Sequence, residues 1–154
     1  KLYQNSPAKN SVGTRYSDVS EIPLSQKYGR IITIAAMEHI EELPYCAARA
    51  ALALEQGGTF QIAIPSEGGF LWGASWRMTT GILFRIRNGI SYAPLMRYEH
   101  INSADEIIAV TNSFFKSVKI RRFPTPFRHF SFYTYLEATD PDLQTAEAYI
   151  ANTK

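Results

Sequence analysis

A single cysteine, Cys46, rules out an intrachain disulfide and a cysteine-built zinc site. No run of about 18 apolar residues occurs, so no transmembrane helix is expected. The opening residues, Lys1 to Asn5, lack the apolar core of a signal peptide. With those two absences, a cytoplasmic setting is the default expectation. Charged residues make up only 19% of the chain, too few for a disordered or coiled-coil protein. The net charge of +2 gives no dense basic face, so nucleic acid is not an expected partner. Internal repeats and low-complexity stretches are also missing.

What remains is a 154-residue chain, 45% apolar, long enough for one domain with a true core. Its charge is uneven. Residues 1–66 carry six basic and six acidic side chains, residues 67–138 nine and five, and residues 139–154 one and three. The positive excess in the middle region favours an anionic substrate or partner there, with an ordinary solvated surface as the alternative.

The pattern along the chain alternates strand and helix. Residues 2–11 read as the end of a helix, Thr14 to Ser17 as a short strand, and Asp18 to Pro23 as a loop. Arg30 to Met37 is nearly all apolar and β-branched, which predicts a parallel strand buried on both faces. Pro44 opens a helix whose stripe is Leu43, Ala47, Ala50, Ala51 and Leu54. Gly57-Gly58 reads as its stop, and Thr59 to Pro65 as a second buried strand. That makes a βαβ unit. Trp72, Trp76, Thr79, Leu83 and Ile86 predict one amphipathic helix ending at Asn88-Gly89. Ser103 and Glu106 form a capping box for the next helix. Val118–Phe123 and His129–Leu136 suit an antiparallel hairpin. Asp140-Pro141 is expected to cap a short terminal helix.

Four strings, in this order, carry a resemblance: Ser17-Asp18-Val19-Ser20-Glu21-Ile22-Pro23-Leu24; Ile31 through Ile40, ending Met37-Glu38-His39-Ile40; Leu54-Glu55-Gln56-Gly57-Gly58-Thr59; and Ile62-Ala63-Ile64-Pro65. Residues 1–138 resemble the C-terminal portion of class I S-adenosylmethionine-dependent methyltransferases of the small-molecule group, with 66–102 as a substrate-cap insertion and 139–154 as a helical tail. The resemblance implies an α/β fold with a partial Rossmann-like sheet, parallel strands plus a C-terminal antiparallel hairpin. The family's full strand order is 3-2-1-4-5-7-6. Its first two strands and glycine-rich loop would precede Lys1, and no GxGxG occurs here. Weak cofactor binding by this chain is therefore expected. So is an open edge on the Ile31–Ala36 strand, filled either by rearrangement of residues 12–18 or by pairing with a second copy.

The resemblance also implies site residues. Asp18 and the Val19 backbone would hold the adenine of S-adenosylmethionine, and Ala35 and Ala36 would flank its methionyl end. A loop-capping role for Asp18 is the alternative. His39, at the carboxyl end of a parallel strand, is the candidate general base, since imidazole titrates near neutral pH. Relatives add a preceding acid to the Glu-His pair to hold a metal; Ala35 stands there, so no metal site is expected. Glu67, Trp72, Arg77, Arg97 and His100 are candidate substrate contacts, with the arginines suited to a carboxylate or phosphate. Packing of the insertion onto the sheet is the alternative for the tryptophans. Two other readings stand beside the enzyme: a non-catalytic scaffold of the same fold, and a membrane-surface helix carrying Trp72, Trp76, Arg85 and Arg87. Of these, membrane contact is not expected.

Overall fold

The β-branched run after Tyr28 and the alternating run after Gly58 pair as neighbours. In the computed structural model, which describes residues 13–153, β1 (Tyr28–Ile34) lies parallel to β2 (Leu54–Pro65), with Ile31 beside Phe60 and Thr33 beside Ile62. The helix expected over residues 2–11 falls outside the described residues. α1 (Leu43–Ala53) links the two strands. Pro44 sits in its first turn, where the missing N–H costs nothing. Its alanines 47, 48 and 51 are fully hidden. α1 passes into β2 without a loop, so Gly57-Gly58 does not stop the helix. Gly57 takes a left-handed φ of 78°, and a Cβ on Gly58 would lie 3.1 Å from the Tyr28 carbonyl oxygen and 3.2 Å from that of Gly29. Gly57 permits the left-handed turn and Gly58 lets two backbones approach, uses that look the same in sequence as a helix stop.

α5 (Ala104–Phe114) starts at the expected capping box: the Ser103 hydroxyl accepts from the Glu106 N–H, and the Glu106 carboxylate accepts from the Ser103 N–H at 2.7 Å. β3 (Phe115–Pro124) and β4 (Ser131–Pro141) form the antiparallel hairpin, Ile120 opposite Leu136. β4 also pairs antiparallel with β2, Ile62 opposite Leu136. The protein is thus α/β, built on a four-stranded mixed sheet in the order β1-β2-β4-β3. α6 (Leu143–Asn152) follows. Asp142 caps it, not Asp140-Pro141, which still belongs to β4. Ala146 of α6 is buried, and Tyr149 meets the Phe114 ring edge-on at 5.5 Å.

The core lies on one face of the sheet only. Phe60, Ile62, Ile64, Leu136 and Ala138 are hidden beneath α1, α5 and α6. Each large side chain so buried is worth about 1.5–3 kcal/mol. The other face is bare at β1: Ile32 is 54% and Ile34 70% exposed. The expectation of a strand buried on both faces is therefore wrong, because all three packing helices sit on one side and β1 is an edge. The strand also ends at Ile34 instead of Met37. Ala35 takes a left-handed φ of 46°, and Met37–His39 close a single 3-10 turn. Residues 13–18 form no strand. The short strand expected over Thr14–Ser17 is absent, and that segment does not pair with the edge of β1.

The insertion is also more broken than its periodicity implies. α2 (Phe70–Trp76) and α3 (Ile82–Asn88) are joined by a π-helical stretch, Arg77–Gly81. There the Thr79 hydroxyl and the Arg77 guanidinium donate to the Ser75 and Gly73 carbonyl oxygens, both at 2.7 Å, so side chains take up carbonyls of the helix ladder. Gly89, with φ 71°, stops α3 as expected. α4 (Ala93–Glu99) is a further helix that the sequence reading did not separate. Among the described residues, no helix is long and apolar enough to cross a membrane.

Candidate functional site

The carboxyl ends of the parallel strands β1 and β2 bring the chemistry-bearing residues together. After β1 the 3-10 turn presents Glu38 and His39; after β2 the chain presents Glu67. The segment following α4 returns to this point. Its Ile101 and Asn102 N–H groups donate to the Glu38 carbonyl oxygen at 3.0 and 3.1 Å. The Asn102 side-chain amide donates to the Met37 and Ile40 carbonyls at 3.0 and 2.6 Å. This strap sets His100 against His39, ring centroids 4.6 Å apart and edge-on.

His39 has a defined tautomer. Its Nδ1 is 2.5 Å from the Glu99 carbonyl oxygen, which only accepts, so Nδ1 carries a proton and Nε2 is the ring nitrogen left for other chemistry. Nε2 is 3.9 Å from Glu38 Oε1. His100 Nδ1 is paired with Glu67 Oε1. Burial pushes the Glu67 carboxyl above the usual carboxylate range, and the neighbouring His100 pulls it back. Glu38 is 1% exposed, and its Oε2 has no hydrogen-bond partner among the described residues. A buried carboxylate oxygen left without a donor is costly unless something binds it. Ligand atoms of Glu38, His39 and His100 all lie within 4.8 Å of one another, so the three can hold a divalent cation. The expectation of no metal site rested on Ala35; the structure supplies a second histidine from 61 residues downstream of His39.

Two clefts meet at the histidine pair. One, of about 650 Å³, is lined by Asp18, Val19, Ser20, His39, Ile40, Glu41, Glu42 and Tyr45. That size suits a small-molecule site. It unites the residues singled out for the cofactor's adenine with the candidate base. Asp18 caps the 3-10 turn Val19–Glu21 through the Ser20 N–H at 2.7 Å, so the loop-capping alternative holds alongside any ligand role. The Ser20 hydroxyl and N–H hold its carboxyl below the usual range. The turn is clamped from α1: buried Arg49 donates to the Val19, Ser20 and Ile22 carbonyl oxygens. Ala35 and Ala36 line neither cleft.

The second cleft, about 290 Å³, collects all five candidate substrate residues, Glu67, Trp72, Arg77, Arg97 and His100, with Trp76 and Met96. Arg77 stacks on Trp76 at 4.5 Å. Just before Glu67, a buried hydroxyl chain ties the end of β2 to β4, Ser131 to Ser66 at 3.0 Å and Ser66 to Thr134 at 2.8 Å. Gly69 has no room for a side chain, since a Cβ would fall 2.8 Å from the Arg128 carbonyl oxygen.

Sequence reading missed three contributors. Arg49 was not singled out. Asn102 carried no signal beyond its nearness to His100. Glu38 was treated as a companion of His39 rather than as the buried centre of the cluster. No family model matches the chain, and no curated protein matches it.

Proposed function

We propose that this chain forms part of a methyl-transfer site, with S-adenosylmethionine in the Asp18–His39 cleft and a small anionic acceptor in the Glu67–Arg97 cleft. One observation carries the reading: Asp18, Val19 and His39 line one cleft, the five acceptor candidates line another, and His39 of the first packs against His100 of the second. The order β1-β2-β4-β3 supports it, since that is what the family order leaves when only strands 4, 5, 7 and 6 are kept.

When bound, the cofactor supplies an electrophilic methyl group. The chain's own residues supply position and a base. Arg77 and Arg97 hold the acceptor's carboxylate or phosphate. His39 Nε2 takes the acceptor's hydroxyl proton as its oxygen gains the methyl group, and Glu38, 3.9 Å away, stabilises the imidazolium. Glu99, through its carbonyl, keeps the ring in the required tautomer. The unpartnered Glu38 Oε2 favours a second use of the same residues, in which Glu38, His39 and His100 ligate a divalent cation. Selective broadening of the His39 and His100 resonances by Mn²⁺ tests that use; uniform broadening contradicts it.

Calorimetry with S-adenosylhomocysteine tests the cofactor site. Binding weaker than micromolar is expected, because this chain contains no glycine-rich loop. Asp18→Ala should weaken it roughly fivefold further, the worth of one hydrogen bond. No heat at millimolar ligand, or no effect of Asp18→Ala, overturns the assignment. Micromolar affinity contradicts the expected impairment.

A further inference from the structure

We propose that the outer face of the insertion, centred on α3, docks on an anionic lipid surface. This goes beyond methyl transfer and does not depend on it. Between residues 68 and 98 the chain carries four arginines and neither Asp nor Glu. Across the same stretch large apolar side chains stand in solvent: Met78 is 72% exposed, Ile82 52%, Leu83 51%, Ile86 75% and Ile90 63%. An apolar stripe on a helix is normally covered by a neighbouring element. Here cover exists on one side only, where Phe84 packs on Tyr92 at 4.9 Å and Trp76 meets the same ring at 6.1 Å.

The pattern around α3 is ordered. At about 100° per residue, Ile82, Ile86 and Leu83 fall within an arc of roughly 100°, with Arg85 and Arg87 flanking it and Phe84 on the far side. An apolar stripe between two arginines is the arrangement of a helix lying in a bilayer interface, its stripe among the acyl chains and its cations at the headgroups. Arg85 and Arg87 are both exposed on α3, whereas Arg77 and Arg97 line the cleft with Glu67 and His100. No helix among the described residues can span a bilayer, which leaves lying on the surface as the mode. The residues differ from those the sequence pattern suggested. Trp72 and Trp76 are half-buried against the fold, and the aliphatic residues after the π-helical stretch make the outer surface.

Co-sedimentation with vesicles tests the proposal, comparing phosphatidylcholine alone with phosphatidylcholine containing phosphatidylglycerol. The chain should pellet with the anionic vesicles, less so as salt is raised. Arg85→Gln with Arg87→Gln should weaken binding about fivefold per arginine. Ile82→Glu with Ile86→Glu should abolish it, while circular dichroism shows an unchanged melt, since both side chains are already exposed. Failure to pellet with anionic vesicles overturns the proposal. So does equal pelleting with neutral vesicles, or pelleting indifferent to the glutamates. Self-association or nucleic-acid binding that the same variants remove, without vesicle binding, also overturns it.

Discussion

Two regions of this chain are built to different rules. In α1, nine of eleven residues are buried; from residue 70 to residue 102, none is. The first region earns its stability by excluding water, and the second takes its position from the first through a few contacts: α2 packing on β4 and on the Arg128–Phe130 turn, and the Asn102 strap. The difference separates labour. The sheet and α1 fix where Asp18 and His39 stand, while the insertion supplies the tryptophans and arginines that face a ligand.

That contrast can be broken by mutation. Phe60→Ala, in the fully hidden core, should cost about 3–5 kcal/mol of unfolding free energy in urea. Ile86→Ala, in the insertion, should stay within about 0.5 kcal/mol. Comparable losses would mean that the two regions fold as one unit. Arg49→Met should cost about 1–3 kcal/mol, because three turn carbonyls lose a charged donor. It should also remove any cofactor response at Asp18 and Val19. Ser103→Ala should cost about 1 kcal/mol through loss of the cap on α5.

The capping box also predicts a pH effect. Hydrogen bonds from the Ser103 N–H and hydroxyl hold Glu106 below the ordinary glutamate value of 4.5. A depressed carboxyl stabilises the fold above its unfolded value, and that contribution is lost as pH falls through the folded value. Glu106→Gln should therefore flatten the fall in stability below about pH 4.5. An unchanged acid limb would show that the box is not formed in solution. At the smaller end, the open edge of β1 predicts weak pairing of two copies. Sedimentation equilibrium should show a concentration-dependent dimer that Ile34→Lys removes; a strict monomer would contradict it.

Local signals were legible in the sequence and long-range ones were not. The Ser103–Glu106 box, the hairpin over residues 118–136 and the Gly89 stop each depend on residues close in the chain, and each stands where expected. The edge position of β1 depends on which helices cover it, which no periodicity records. Gly57-Gly58 misled because a glycine that ends a helix and one that admits a neighbouring backbone are the same residue. At the site, His39 and the five insertion residues could be listed from residue type. Their convergence could not be read, since His39 and His100 meet across 61 residues through a strap made by Asn102. Arg49 was illegible for the same reason: its acceptors are backbone carbonyls about 30 residues away.

Residue-resolved NMR of the whole chain, titrated with S-adenosylhomocysteine, examines the central assignment most directly. The account predicts shifts confined to Asp18–Ser20 and Glu38–Tyr45, at millimolar ligand, with strands β3 and β4 silent. Shifts scattered over the surface, or centred on the bare face around Ile32 and Ile34, would contradict it.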